Sequence, residues 1–218
     1  MTNTETIETK RFRYDTAKYT FRKMIADQLQ ESDLEHLHAH SENSDKVFER
    51  KNDQSTIWHK RFYQIGPHFF QTYENFVRDV IKPIFGEGVV YQKIPSFRVH
   101  YHKNLGVGEF HRDRDYAHNL SEVNFWLPVT RAFDTNTIWI ESEEGKEDFR
   151  PLECSVGEFW RFNGCHLKHG NKINATGQTR VSFDFRVIPR SKYSEDHVGK
   201  SINMNVEFKI GGYYKLME

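Results

Sequence analysis

Cysteine is scarce: Cys154 and Cys165 are the only two in 218 residues, too few for a disulfide framework and expected to be reduced thiols. An excess of charge is missing as well. Thirty-one Lys and Arg stand against 31 Asp and Glu, so no overall field gathers nucleic acid or an anionic membrane surface. No apolar run is long enough to span a bilayer, and the opening stretch MTNTETIETKRFRYD lacks the apolar core of a signal peptide. There is no low-complexity linker and no internal repeat. These absences set nucleic acid and membrane aside and leave the expectation of one cytoplasmic domain, residues 1–218, with a small-molecule partner. They leave the oligomeric state open, a homodimer included.

What is present is patterning. In GPHFFQTYENFVRDVIKPIFG, Phe69, Tyr73, Phe76, Val77, Val80, Ile81 and Ile84 recur at three- and four-residue spacing. They make one apolar stripe, which needs something flat to cover. From Val89 the period becomes two, and SFRVHY, EVNFWL, NTIWIE, GEFWRF and RVSFDFRV read as short strands separated by Gly, Pro, Asn and charge clusters. This order predicts a mainly β fold, an antiparallel sandwich or barrel over about 89–190, with N-terminal helices over about 16–88 packed outside it. In the extension after it, about 191–218, MNVEFKIGGYY either adds a last strand or holds a partner.

The chemistry concentrates in GVGEFHRDRDYAH and FNGCHLKHGN. His111 and Asp113, two apart on an extended segment, project to the same side and can share one ion. Asp115 lies on that side too and competes as a ligand, while His118 reads as a hydrogen-bonding loop residue. His166 and His169 are the candidates for a third donor. Two histidines and one carboxylate on one face of an octahedron leave three positions open, the arrangement suited to non-haem Fe(II) and O₂. Zinc hydrolysis uses the same donor types. A cupin-like protein that holds metal or sugar without turnover would also keep them. Arg180 and Ser182 then open the last clear strand, where a guanidinium fork and a hydroxyl suit a carboxylate.

The ordered set of H-x-D, further strands, a distal His and Arg-x-Ser resembles the Fe(II)/2-oxoglutarate-dependent dioxygenases over about Ser96 to Pro189. The segments FHRDRDYAH, NFWLPVT, NTIWIES and NKINATGQTRVSFDFRVIP are similar to a bacterial branch associated with streptomycin-type antibiotic biosynthesis. The resemblance implies a double-stranded β-helix, a cupin-like jelly-roll barrel. It implies Fe(II) on His111, Asp113 and His169, with His169 preferred to His166. It places the distal carboxylate of 2-oxoglutarate on Arg180 and Ser182, with Tyr101 and Asn124 beside the co-substrate. The implied reaction uses O₂, turns 2-oxoglutarate into succinate and CO₂, and hydroxylates an unactivated C–H bond. Halogenases of the family lack the carboxylate ligand, so Asp113 points to hydroxylation or a related oxidation such as desaturation or ring formation.

Alternation also divides the strands into faces. Val123, Phe125 and Leu127, and Val181, Phe183, Phe185 and Val187, form apolar faces assigned to the helix-covered side, together with Ile138 and Ile140. If Arg180 and Ser182 face inward, Asp184 and Arg186 do so as well, and Glu122, Asn124, Trp126, Trp139 and Glu141 are left to line the pocket or its mouth. The bland alternative is an ordinary sheet with one wet side. A lumen carrying both signs of charge expects internal pairing or a charged ligand. The expected substrate is a small polar metabolite such as an amino acid, amino sugar or aminocyclitol, with Glu141 and Arg186 as recognition candidates.

Overall fold

A computed structural model describes residues 7–40, 55–106, 109–201 and 205–218. In chain order its regular elements are β1 (Lys10–Arg13), α1 (Phe21–Leu29), α2 (Ile57–Phe62), α3 (Pro67–Phe76), α4 (Lys82–Phe85), β2 (Val89–Gln92), β3 (Ser96–His100), β4 (Val123–Pro128), β5 (Trp139–Ile140), β6 (Arg150–Pro151), β7 (Glu158–Phe162), β8 (His169–Gly170), β9 (Arg180–Pro189) and β10 (Tyr214–Met217). The fold is mainly antiparallel β. Among the described residues the helices are minor, four short α-helical pieces rather than continuous support, and part of the region expected to be helical, 41–54, lies outside the described residues.

The stripe read from the sequence as one helix is α3 and α4 joined through a wide turn at Val77–Ile81. That turn ends two residues before Pro83, which has no N–H to return to the preceding turn. Gly86 then ends the helix at φ 69°, a left-handed conformation that favours glycine. Phe69, Tyr73, Phe76, Val77 and Ile81 are buried as the stripe requires, while Val80 and Ile84 pack at its edge.

The stripe covers one face of a seven-stranded sheet ordered β1-β7-β4-β9-β2-β10, with β3 pairing β9 beyond the end of β2. β9 is the axis of this sheet. It runs for ten residues, pairs β4 along one side, and on the other takes Val89 to Tyr91 and then Ser96 to His100. Every second residue of β4 and β9 reaches the helices: Phe21 stands 5.1 Å from Phe183, and Tyr73 stands 5.2 Å from Phe185. Each such ring contributes roughly 1.5–3 kcal/mol by leaving water.

A smaller sheet, β6-β5-β8, lies against the other face and continues through an isolated bridge between His111 and His169. Ile140 corrects an expectation here. It packs with Trp126, Leu152 and Phe162, and Ile138 packs against the same cluster, so both fill the space between sheets instead of meeting the helices. Both belong to the smaller-sheet side, which the helices do not cover, and period two alone does not tell which sheet a short strand joins.

The C-terminal extension adds a strand. β10 pairs β2 as the sheet's edge, and Phe208, Tyr213 and Tyr214 form a third apolar cluster with Val90 and Ile188. Among the described residues no helix is long and apolar enough to cross a membrane.

Candidate metal centre and its cleft

Three loops and strand ends converge on the space between the sheets. His111 and His169 exchange backbone hydrogen bonds of 2.9 Å in each direction, which sets their rings side by side with centroids 4.7 Å apart. This approach needs glycine next door, because a Cβ on Gly170 would lie 2.9 Å from the Phe110 Cα. Asp113 opens a single 3-10 turn, Asp113–Tyr116, and its N–H donates to the Gly164 carbonyl at 2.9 Å. The chain therefore leaves the extended form at Asp113. Asp115 does not stay on the ligand side as the sequence allowed; its carboxylate accepts from the Arg112 N–H at 3.1 Å.

One donor atom from each of His111, Asp113 and His169 falls within 4.8 Å of the others. The two Nε2 atoms face the same Asp113 oxygen, Oδ1, at 3.5 and 3.7 Å. Ligand atoms at right angles around one ion, each about 2.1 Å from it, are about 3 Å apart, so small movements would close the site. The remaining atoms are already committed. His111 Nδ1 donates to the Glu109 carbonyl at 2.7 Å and His169 Nδ1 to the Leu167 carbonyl at 3.0 Å. These bonds define the tautomer that leaves Nε2 as a lone-pair donor. Asp113 Oδ2 accepts from Asn124 Nδ2 at 2.7 Å and from Arg186 Nε and Nη2, both at 3.2 Å, which leaves Oδ1 toward the histidines.

Electrostatics favour the ligating forms. Burial alone would raise the Asp113 carboxyl, but Arg186 and the His111 contact outweigh it and hold it well below the usual carboxylate range. Burial lowers His169 to about 4, so its imidazole is neutral at pH 7. Asn124 is the clamp of this corner. Its Oδ1 accepts from the Gly164 N–H at 3.1 Å while its Nδ2 holds Asp113, and a Cβ on Gly164 would sit 2.7 Å from the Asn124 amide. The Asn124 side chain lies in the cleft lining, as expected, with its amide engaged by Asp113 and Gly164.

The triad opens on a cleft of about 80 Å³ whose wall includes Arg98, Trp126, Ile138, Asn171, Arg180 and Arg186. Arg180 is buried and held on several sides: Nε donates to the Asn136 carbonyl at 3.0 Å, Nη1 to Ser182 Oγ at 2.8 Å, and Nη2 to Asn171 Oδ1 at 3.3 Å. Arg180 and Ser182 are therefore brought together inside, as expected. The buried Trp126 Nε1 and Arg98 Nη1 have no hydrogen-bond partner among the described residues. Two unanswered donors in the lining of one cleft suit ligand groups rich in acceptors.

Other expected site residues lie elsewhere. Tyr101 continues the side of β3 that carries Phe97 and Val99 and packs in the helix-side core, off the cleft wall; the same alternation puts Arg98 and His100, which the sequence reading does not name, on the cleft side. Glu141 is buried and fully engaged, with Arg112 Nη2 at 3.0 Å and the N–H groups of Lys168, Gly145 and Glu147 at 2.6, 3.0 and 3.2 Å. It shapes the 141–147 loop and offers nothing to a substrate amine. Glu122 lies beneath Arg186 and accepts from His118 Nδ1 at 2.8 Å and from the Tyr214 hydroxyl, off the cleft wall. Trp139 is not on that wall either; its ring sits under Lys172 Nζ at 3.2 Å. His166 approaches Glu144 at 3.6 Å, away from the triad. Arg186 lines the cleft but is paired with Asp113 and, at 2.7 Å, with Asp184.

This arrangement of sheets shares its fold with two solved structures. The non-haem α-ketoglutarate-dependent carbocyclase SnoK from nogalamycin biosynthesis aligns with a TM-score of 0.55 at 11% identity, over 96% of this chain and 92% of that one. EctD from S. alaskensis aligns with a TM-score of 0.52 at 12% identity, over 93% and 80%. No family model matches the chain. The chain nonetheless belongs to the family of the streptomycin biosynthesis protein StrG of Streptomyces griseus, to which it is 40% identical over 204 residues, 94% of this chain and 96% of that protein.

Proposed function

We propose that the protein is an Fe(II)- and 2-oxoglutarate-dependent oxygenase that hydroxylates, or otherwise oxidises, an unactivated C–H bond of a small polar metabolite. The observation that carries this reading is the division of atoms at the triad. Every outer atom of His111, Asp113 and His169 is engaged by the protein, while the three inner ones converge beside a cleft with unanswered donors. A streptomycin biosynthesis protein among the relatives and a carbocyclase of nogalamycin biosynthesis among the fold neighbours support a small-molecule substrate. The reading also takes the two sheets as a jelly roll around the cleft, with the described residues forming one domain.

Iron with bound 2-oxoglutarate would supply O₂ activation coupled to decarboxylation. The chain supplies the rest. His111, Asp113 and His169 offer three donors and leave open positions. Arg180, braced by Asn136 and Asn171, with Ser182 beside it, would receive the distal carboxylate of the co-substrate and fix its direction. Trp126 and Phe162 keep that end of the cleft dry.

Anaerobic addition of Fe(II) and 2-oxoglutarate is expected to give a weak visible charge-transfer band, absent in Asp113→Ala. A metabolite panel that stimulates succinate release then identifies the substrate. Absence of the band in the wild type would leave a non-catalytic metal-binding jelly roll in its place.

A further inference from the structure

Arg98 stands at the centre of β3, opposite Ser182 in the register with β9, and its side chain enters the cleft. Its Nε donates to Asp184 Oδ1 at 2.9 Å, and the other oxygen of that carboxylate is occupied by Arg186 Nη1 at 2.7 Å. One buried carboxylate thus serves two guanidinium groups. Arg186 leans also on Asp113, whose charge an ion at Oδ1 would draw away, and lies 4.0 Å from Glu122, which already holds His118 and Tyr214. Arg98 has no such second carboxylate, and its Nη1 is buried without a partner among the described residues. A buried cationic donor left open costs free energy unless a ligand answers it. Arg180 is a separate group. Its guanidinium turns toward Asn136 and Asn171 while that of Arg98 turns toward Asp184, and residues 180 and 184 of a strand are roughly 13 Å apart.

We propose that Arg98 receives an anionic group, a carboxylate or a phosphate, of the primary substrate, apart from the co-substrate carboxylate held by Arg180. This rests on the oxygenase reading and narrows its substrate class to anionic metabolites. The planar fork explains why arginine stands here: with Nε fixed on Asp184, Nη1 remains to point at an oxyanion.

The test uses the full chain loaded with Fe(II) without oxygen. One readout is 2-oxoglutarate affinity from the visible band. The other is the thermal unfolding midpoint of the 2-oxoglutarate-saturated protein with inorganic phosphate or acetate, against chloride at equal ionic strength. Arg180→Gln is expected to weaken 2-oxoglutarate about tenfold or more, and Arg98→Gln by less than about threefold. Phosphate or acetate should raise the wild-type midpoint, should not raise that of Arg98→Gln, and should raise that of Arg98→Lys in part. The larger of the two anion effects identifies the group. Three results overturn the proposal: neither anion stabilises the wild type, the stabilisation survives in Arg98→Gln, or Arg98→Gln loses 2-oxoglutarate as badly as Arg180→Gln. A wild type without the band refutes the oxygenase reading instead. The anion arms are then run with Fe(II) alone, where dependence on Arg98 stands or falls by itself.

Discussion

Two buried carboxylates, Asp113 and Glu122, sit on either side of Arg186, each with histidine at hand, yet only one of them faces an opening. At Asp113 the partners engage Oδ2 and leave Oδ1 to the two imidazole Nε2 atoms. At Glu122 both oxygens are engaged: Oε2 by His118 Nδ1 at 2.8 Å, and Oε1 by the Asn119 N–H at 3.2 Å and the Tyr214 hydroxyl. Asp113, His118 and Glu122 also lie close enough together to be counted as a metal group. What separates the two corners is unengaged lone pairs, not residue type or burial. A cation at the second corner would have to displace the partners of Glu122, and it would stand beside the Arg186 guanidinium.

The largest effect should come from breaking the open corner. Asp113→Ala and His169→Ala are expected to abolish tight Fe(II) binding and 2-oxoglutarate turnover while the fold persists, since neither residue belongs to the apolar clusters. Glu122→Gln should leave one iron per chain. Iron content after gel filtration checks both. Iron retained by His169→Ala and lost by His166→Ala would move the ligand to His166, and loss in Glu122→Gln would erase the distinction between the corners.

A smaller effect should follow from loosening the clamp. Gly164→Ala would push a methyl group into the Asn124 amide, 2.7 Å from the Cβ position, and so release Asp113 Oδ2. Losing a partner of a ligand typically costs 10- to 100-fold in metal affinity. Asn124→Ala should weaken iron similarly, and the double variant should add little to either single one, because both act through one hydrogen bond. Additive losses in competitive chelator titrations would show that Gly164 and Asn124 act separately.

How much of this was legible follows the range of the interaction. That His111, Asp113 and His169 meet, and Arg180 with Ser182, was legible because it follows from their spacing and order. The apolar faces of β4 and β9 were readable because alternation is local, and the structure puts Val123, Phe125 and Leu127 under the helices with Val181, Phe183 and Phe185. Ile140 and Glu141 were misplaced because β5 is only two residues long and its sheet is decided by distant pairing with β8. Tyr101, which packs in the helix-side core, is a different case. Phe97, Val99 and Tyr101 alternate with Arg98 and His100 in plain view, so the period-two rule applied to β4 would have turned Tyr101 away from the cleft and brought Arg98 into it. That β10 adds a strand could not be read locally, since its register partner Val89–Gln92 lies more than a hundred residues earlier.

The mildest test extends the comparison from the metal centre to histidines that serve only the fold. His59 is buried, its Nδ1 meets Thr56 Oγ1 at 2.7 Å, its ring lies 5.4 Å from Phe97, and its Nε2 has no partner among the described residues. Burial, with the nearby Arg98 charge, lowers it to about 3. The folded pKa is therefore below the ordinary value of about 6.5, so the unfolded chain takes up a proton here that the folded one refuses. Stability from this group is fully present above about pH 6.5 and is lost as pH falls toward about 3, with a limiting slope of about 1.4 kcal/mol per pH unit. His59→Asn keeps a side-chain partner for Thr56 and cannot titrate in this range. Urea unfolding of the metal-free protein at pH 7 and pH 5 should therefore show the wild type losing more stability than the variant, so that the gap between them narrows with acid. Using metal-free protein keeps His111 and His169 the same in both chains, so they cancel in the difference. A gap that stays constant from pH 7 to pH 5 would mean that His59 finds a proton acceptor or water in the folded state, and that its ring is not held neutral by the core.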